Sequence, residues 1–279
     1  MALSTISLTS GMRANLFSLQ KTSLDMEVTQ KRLSTGLKVN SALDDPINFF
    51  TAQEHKMRAS DLASRKDGMS EAIQTIKAAN VGIEGINNLI AQAKSLAQSA
   101  LSAGSTDALA FGTQFGEVLS QINEMAEDSG YKGINLLQSG ELTVEFAPSA
   151  GDATLKLTGF GGTDTEFTTI GASVTSAGWV SNTDVSTSVI QSAIDGLETA
   201  MGDLRTESKK LSSNLSIITA REDFTSNMTN TLKDGAAKLT EADMNEEGAN
   251  MLMLQTRQAL GTTSLSMASQ AAQSVLRLF

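Results

Sequence analysis

The sequence lacks cysteine altogether, and its 279 residues include only two prolines, one tryptophan, one tyrosine and one histidine. Disulfides, thiolate metal sites and cysteine nucleophiles are therefore excluded. Aromatic residues make up 4% of the chain, which leaves little material for a thick core around a buried pocket. Long helices packed in thin layers suit this composition better than a deep globular core.

Long apolar runs and an excess of positive charge are also missing. The formal net charge of −10 argues against a nucleic-acid partner, because binding phosphate requires clustered Lys and Arg. No run approaches the roughly 18 apolar residues of a membrane span, so we expect no membrane insertion. The first ten residues lack the charged start and apolar core of a cleaved signal peptide. If the protein is extracellular, we expect secretion by a route that reads another signal.

The sequence does contain an apolar repeat at each end, with seven-residue spacing near the N-terminus and steps of three and four near the C-terminus. An apolar stripe on a helix needs a partner, because most helical stability comes from packing that stripe. We therefore predict that residues 1–40 and 240–279 form a terminal coiled-coil domain, paired within the chain and with its copies. The residues predicted to form this self-assembly interface are Met12, Leu16, Leu19, Met26, Leu33, Leu37, Met251, Leu254, Leu265, Ala268, Ala272, Val275 and Phe279.

The two ends carry opposite charge. Residues 1–40 contain five Lys or Arg against two Asp or Glu, whereas residues 240–279 contain two against four. Opposite signs favour pairing of the ends, although the effect is modest and is screened by salt. The alternative is that these charges lie on two ordinary solvated faces.

The middle of the chain, residues 41–239, is predicted to be a helical domain with a small β region. Helical periodicity covers about 46–103, 107–127 and 189–235, while residues 141–158 alternate apolar and polar side chains as a β-hairpin does. Residues 159–188 are rich in Gly, Ser and Thr and are predicted to form loops with one or two short strands; glycosylation there is open. The predicted fold class is mainly α, a long antiparallel helical bundle or coiled coil of paired termini with a β-hairpin in the middle.

We find no catalytic, cofactor-binding or metal-binding constellation. His55 is the single histidine, and its polar neighbours indicate a surface position on a helix. Asp45 before Pro46 is typical of a helix start, in which the carboxylate caps free N–H groups. A paired-carboxylate site at Asp44 and Asp45 is the alternative. The acidic residues at 243, 246 and 247 are better interpreted as the first turn of the last helix than as metal ligands.

Both ends carry signatures of one family. Residues 31–45 (KRLSTGLKVNSALDD) resemble the N-terminal signature of bacterial flagellins, and residues 242–247, 255–261 and 270–279 resemble their C-terminal region. The resemblance implies a self-assembling filament subunit, not an enzyme, that serves swimming motility. Terminal helices would line an inner tube, and the following helices and hairpin would form an outer tube. The short middle implies that large outer domains are absent.

The resemblance also implies partners and a location. The chain would be exported unfolded through the flagellar type III apparatus, with an export chaperone, and would be added beneath a filament cap to a filament that joins hook-associated proteins. The location would be extracellular, in the flagellum. The alternatives are the hook–filament junction protein, which shares an Asp-Asp-Pro start, and a cytosolic helical scaffold.

One stretch departs from the family pattern that an innate immune receptor recognises. The matching residues include Gln92, Lys94 and Leu96, and Gln92 stands where stimulatory flagellins have Arg. Ser95 replaces a Glu in the same stretch. We therefore expect weak or absent receptor activation.

Overall fold

The computed structural model describes residues 10–147, 153–160, 178–181 and 184–276, which form five helices and two small antiparallel sheets. The helices are α1 (Ser10–Thr35), α2 (Pro46–Leu101), α3 (Ser105–Asp128), α4 (Thr187–Thr240) and α5 (Met244–Leu276). The strands are β1 (Glu141–Glu145), β2 (Thr154–Thr158), β3 (Val180–Ser181) and β4 (Asp184–Val185). The predicted fold class, mainly α with a small hairpin in mid-chain, is confirmed. None of the described helices is both long and apolar enough to span a membrane.

The helix bounds lie close to the predicted ones. α1 ends beside Gly36, whose φ of 71° suits glycine, and residues 1–9 of the predicted terminal domain lie outside the described residues. α3 begins at Ser105, two residues earlier than predicted, because the extended Gly104 already serves as its N-cap. α4 continues through Gly235 to Thr240 instead of stopping at the glycine.

The chain divides into two compact units. Unit 1 comprises the residues up to Met57 and those from Thr231 onward, and unit 2 spans Arg58–Asn230. Unit 1 therefore contains α1, α5, the start of α2 and the end of α4. The domain division drawn from sequence, 1–40 with 240–279 and 41–239, stays a prediction about the assembled state.

In unit 1 the two connectors beside the terminal helices are tied together. The N–H of Lys38 donates to the carbonyl of Thr240 at 2.7 Å, and the N–H of Ala242 donates to the carbonyl of Gly36 at 3.0 Å. Leu37 and Glu241 thereby form an isolated antiparallel bridge. The link from α1 to α2 and the link from α4 to α5 thus meet at one point.

The start of α2 confirms the predicted cap. Asp45 accepts a hydrogen bond from the N–H of Asn48 at 3.1 Å, and Pro46 is the first helical residue. Asp44 instead accepts the N–H groups of Asn40 and Ser41, and these bonds lower the pKa of its carboxyl below 3.8. Both carboxylates are therefore used as backbone acceptors in a turn.

Unit 2 is built from the remaining parts of α2 and α4 with α3 and the two sheets. Its core contains an apolar stripe of α2, in which Met69, Ile76, Ile83 and Ile90 are buried. Ser70 donates to Glu222 at 2.8 Å and Ser208 to Asn80 at 3.3 Å, so α2 and α4 run antiparallel.

Gly82 and Gly85 do not interrupt α2, contrary to the doubt that glycine raises in a helix. A Cβ at Gly82 would lie 2.0 Å from Oγ of Ser129, and a Cβ at Gly85 would lie 2.4 Å from Sδ of Met125. The two glycines therefore make room for the C-terminal end of α3 to approach α2.

The predicted hairpin is confirmed as β1 paired with β2, with Leu142 opposite Leu157 and Val144 opposite Leu155. Leu142, Val144 and Leu157 turn into the core of unit 2. The predicted insert at 159–188 lies largely outside the described residues. Its described part contains β3 and Trp179, whose buried ring lies 4.7 Å from that of Phe115.

Candidate assembly surface on the terminal helices

The packed seam of unit 1 runs between α1 and α5, which are antiparallel. Three pairs of partners fix this direction, because residue numbers rise along α1 as they fall along α5. These pairs are Asn15 with Ser264, Leu19 with Gly261, and Arg32 with Glu247. The predicted antiparallel pairing of the chain ends is therefore present within one chain.

Most of the predicted interface residues that the structure describes are at least partly buried. Leu254 is buried, and the others described are half-buried, except Leu16, whose side chain is 40% exposed. The half-buried ones are Met12, Leu19, Met26, Leu33, Leu37, Met251, Leu265 and Ala268. The side chains of Ala272 and Val275, and Phe279 as a whole, lie outside the described residues. The role of all these residues in contacts between copies stays a prediction.

Two threonines of α1 are buried at positions where an apolar residue such as leucine would be expected. Thr22 and Thr29 are buried on α1, at seven-residue spacing like the neighbouring methionine and leucine positions. The hydroxyl of Thr22 donates to the carbonyl of Ser18 at 2.9 Å, which removes the need for an external partner. The apolar repeat in the sequence does not include these two positions, because threonine is polar.

An ion pair closes one end of the seam. Nη1 of Arg32 donates to Oε1 of Glu247 at 2.8 Å, and the Glu247 side chain is only 8% exposed. The acidic first turn of α5 was predicted, but this partner was not. Among the described residues, the second oxygen of Glu247, Oε2, has no hydrogen-bond partner although it is buried.

A groove of about 320 Å³ opens beside this ion pair. Its lining combines the carboxylates of Asp25 and Glu247 and the amide of Asn250 with the apolar side chains of Val28 and Met253. Val28 is 49% and Met253 52% exposed. Arg32, which is paired with Glu247, also lines the groove, so the groove is an open feature of the α1–α5 pair with charges of both signs and a partly apolar wall.

A second set of apolar side chains on the terminal helices stays largely exposed to solvent. They are large, belong to α1 and α5, and are 49–72% exposed. We call them the outward set: Phe17, Leu24, Val28, Leu252, Met253, Leu260 and Met267. The sequence analysis did not name them, although Phe17 and Leu24, like Met253, Leu260 and Met267, also recur every seven residues. Exposed apolar residues in this number mark a surface that packs against something else.

The remaining candidate residues have structural surroundings. His55 is half-buried beside Gly235, not on a fully solvated face as predicted. Asp243 accepts the N–H of Asn245 at 2.8 Å as a helix cap. No group of three or more His, Asp or Glu side chains suited to a metal ion occurs in the described part of the chain.

The three residues of the immune-receptor-like stretch lie on α2. Gln92 is exposed, Leu96 is half-buried, and Lys94 forms an ion pair with Glu198 of α4. The stretch is therefore a regular helix face, and Lys94 is already paired within the chain.

These features define a class: a mainly helical structural protein whose chain ends pair and leave an apolar face exposed. Protein-family models described as "Bacterial flagellin N-terminal helical region" and "Bacterial flagellin C-terminal helical region" match residues 4–141 and 188–279. Flagellin FljM of Caulobacter vibrioides is 29% identical over the full length of both chains. A flagellin of Brucella melitensis is 28% identical over 95% of each. Bacillus cereus flagellin, a solved structure, covers 57% of this chain and 88% of its own with a TM-score of 0.46 and 15% identity.

The chain belongs to the bacterial flagellin family. It is a short flagellin, a structural subunit that polymerises with copies of itself into the helical flagellar filament and serves motility.

Proposed function

We propose that this flagellin polymerises through the paired terminal helices, with the outward set as the contact surface between copies. The observation that carries this proposal is that α1 and α5 pack along their regular stripes, yet leave the seven apolar side chains of the outward set 49–72% exposed. Burying such side chains contributes roughly 25 cal/mol per Å². A contact surface that does not close on itself under rotation produces a helical polymer.

The seam and the outward set would then have different roles. Seam residues such as Leu19 and Leu254 hold one chain's ends together, whereas Phe17 and Leu260 of the outward set contact the next copy. Because ordering the ends costs conformational entropy, we expect them to become fully stable only when copies supply the missing contacts.

We further propose the division of labour that the family resemblance implies. Residues 1–40 and 240–279 would form the inner tube of the filament, and residues 41–239 the outer tube. The subunit would be exported unfolded through the flagellar type III apparatus without a cleaved signal peptide, assisted by an export chaperone. At the tip it would be added beneath the filament cap, and at the base the filament would join hook-associated proteins.

A pair of full-length variants tests the contact surface. Phe17→Gln removes an apolar side chain that is 72% exposed, so we expect the isolated chain to fold as before. Gln20→Ala, at an exposed polar position on the same helix, is the control. Electron microscopy and sedimentation should show long filaments from the wild type and Gln20→Ala, and few or none from Phe17→Gln. Normal filaments from Phe17→Gln and from a matching Leu260→Gln would overturn the proposal.

We also propose that this flagellin activates the innate immune receptor weakly. The exposed Gln92 offers no cationic group, and Lys94 is engaged by Glu198. Purified monomer should give a weak response in a receptor reporter assay, and Gln92→Arg should raise it. A strong response from the wild type would contradict this expectation.

A further inference from the structure

Three exposed apolar residues of α5 form a row at seven-residue spacing. They are Met253, Leu260 and Met267, and their side chains are 52%, 67% and 60% exposed. Because seven residues make almost two full helical turns, the three side chains lie on one face of α5, about 21 Å from the first to the last. We call them the Met-Leu-Met row.

The surroundings of this row indicate that it is covered when copies assemble. Arg257 is the one charged residue in the described stretch 252–276 of α5. The same helix also has an apolar residue on its packed side, since Leu254 is buried. A helix that is apolar on several sides is normally buried on all of them. The row is therefore expected to be open to solvent in the free subunit and covered in the filament.

The two ends of the row are chemically different from its centre, because methionine can be oxidised and leucine cannot. Hydrogen peroxide transfers one oxygen atom to the thioether sulfur: the O–O bond breaks, an S–O bond forms, and water leaves. The sulfur loses two electrons and the peroxide gains them. The product, methionine sulfoxide, is polar and chiral, and it disrupts apolar interfaces that the thioether would stabilise. Methionine sulfoxide reductases reverse the change.

We propose that Met253 and Met267 are sites of reversible oxidation that control assembly. Sulfoxide at either end of the row keeps a free subunit out of the filament, because burying the polar sulfoxide oxygen without a hydrogen-bond donor is unfavourable. Incorporation into the filament in turn covers both thioethers and protects them from the oxidant. This inference rests on the proposed assembly through the outward set.

Other methionines of unit 1 provide internal controls. Met57 and Met244 are 55% and 48% exposed, much like the two methionines of the row, but they do not belong to the outward set. Peroxide should therefore oxidise them in the free subunit as it does Met253 and Met267. Their oxidation should affect assembly less, because exposure is matched and only the surface differs.

A partition experiment on full-length wild type requires no substitution. Free subunits are partly oxidised with hydrogen peroxide and allowed to polymerise, and filaments are separated from free subunits by sedimentation. Peptide mass spectrometry then gives the sulfoxide fraction at each methionine. Sulfoxide at positions 253 and 267 should be enriched roughly three- to tenfold in the supernatant. The proposal is overturned if it partitions no more strongly than sulfoxide at positions 57 and 244.

Two double variants test the same point from the opposite direction. Met253→Leu with Met267→Leu keeps the row apolar and conserves side-chain volume but removes both oxidisable groups. Met57→Leu with Met244→Leu is the matched control. After oxidation of free subunits, the first variant should polymerise as its untreated form does, whereas the wild type and the control variant should not. Reductase treatment should restore the wild type. An oxidised first variant that fails as the wild type does would place the effect at other methionines and overturn the proposal.

Preformed filaments give the complementary measurement. Peroxide should oxidise Met253 and Met267 at least about tenfold more slowly in filaments than in free subunits, because access to the sulfur controls the reaction. Equal rates in the two states would contradict burial of the row. If Phe17→Gln and Leu260→Gln filaments form normally, the proposed contact surface itself fails. If both substitutions prevent assembly but sulfoxide at positions 253 and 267 enters filaments freely, only the inference about oxidation is wrong.

Discussion

Leu19 packs so closely against Gly261 that a Cβ on residue 261 would lie 2.6 Å from its Cδ2 atom. Because glycine has no side chain, it leaves a space on the surface of α5 that the Leu19 side chain of α1 fills, as in knobs-into-holes packing. Glycine lowers the intrinsic stability of a helix by roughly 1 kcal/mol, so its presence in the middle of α5 is explained by this contact.

Gly261→Ala should weaken the seam by about 1–3 kcal/mol, because the added methyl group forces Leu19 to move. Gly248→Ala is the control, since no atom lies within 4 Å of the added Cβ and the helix should gain up to ~1 kcal/mol. Chemical denaturation followed by circular dichroism gives both values. A Gly261→Ala protein as stable as Gly248→Ala would show that the close approach is not a feature of the folded chain.

The same reasoning applies in unit 2. Gly82→Ala should destabilise unit 2 by about 1–3 kcal/mol, since the new Cβ would lie 2.0 Å from Oγ and 2.6 Å from Cβ of Ser129. Gly202→Ala adds a methyl group into open space on α4 and serves as the control. The melting temperature of unit 2 should fall for the first variant and hold or rise for the second. Equal melting temperatures would argue against the packing of α3 onto α2 at this point.

The Arg32–Glu247 pair should be sensitive to loss of one member. Arg32→Met leaves the Glu247 carboxylate buried without its partner, and we expect a loss of about 1–3 kcal/mol, reduced from the fully buried case because Arg32 is 34% exposed. Arg32→Met combined with Glu247→Leu should recover part of the loss. A double-mutant cycle from denaturation curves measures the coupling. A coupling of zero would mean that the pair does not stabilise unit 1.

The ion pair between Glu71 and Lys132 makes the stability of unit 2 depend on pH. The hydrogen bond from the Lys132 ammonium, 2.8 Å long, lowers the pKa of Glu71 below 4.5 and raises the pKa of Lys132 above 10.5. The stabilisation from the Glu71 carboxylate is present above pH 4.5 and is lost as the pH falls through its lowered pKa. The stabilisation from the Lys132 ammonium is present below pH 10.5 and is lost as the pH rises through its raised pKa.

Lys132→Met should therefore return the pKa of Glu71 towards 4.5. The change can be followed by NMR titration of the side-chain carboxyl group. Lys77→Met, at an exposed lysine on the same helix as Glu71, should leave this titration unchanged. If both variants leave it unchanged, Lys132 is not the partner that lowers the Glu71 pKa.

The seven-residue repeats predicted the terminal helices and their seam because regular spacing is what one helix presents to another. They did not predict the outward set. Phe17 and Leu260 belong to other rows that also have seven-residue spacing, and only the packed structure shows which rows are used within the chain and which stay exposed. Composition likewise gave no sign that Thr22 and Thr29 are buried, since a threonine becomes acceptable there by bonding its own helix.

Residues adjacent in sequence predicted the helix cap at Asp45, but they did not explain the glycines within the helices. Asp45 with Pro46 specifies a helix start through groups adjacent in sequence, so its meaning does not depend on the rest of the fold. Gly82 and Gly261 have their reasons in side chains far away along the chain, Ser129 and Leu19. Sequence alone shows only that each glycine lowers the intrinsic stability of its own helix.

The bridge between Leu37 and Glu241 has a mechanical consequence for a filament that rotates. Within one chain, torque passes from the terminal helices to the following helices through the two connectors. These connectors are joined by three backbone hydrogen bonds, from Lys38 and Val39 to Thr240 and from Ala242 to Gly36. These hydrogen bonds distribute a twisting load over both connectors. The α1–α2 connector and the α4–α5 connector therefore deform together, and neither unwinds independently of the other.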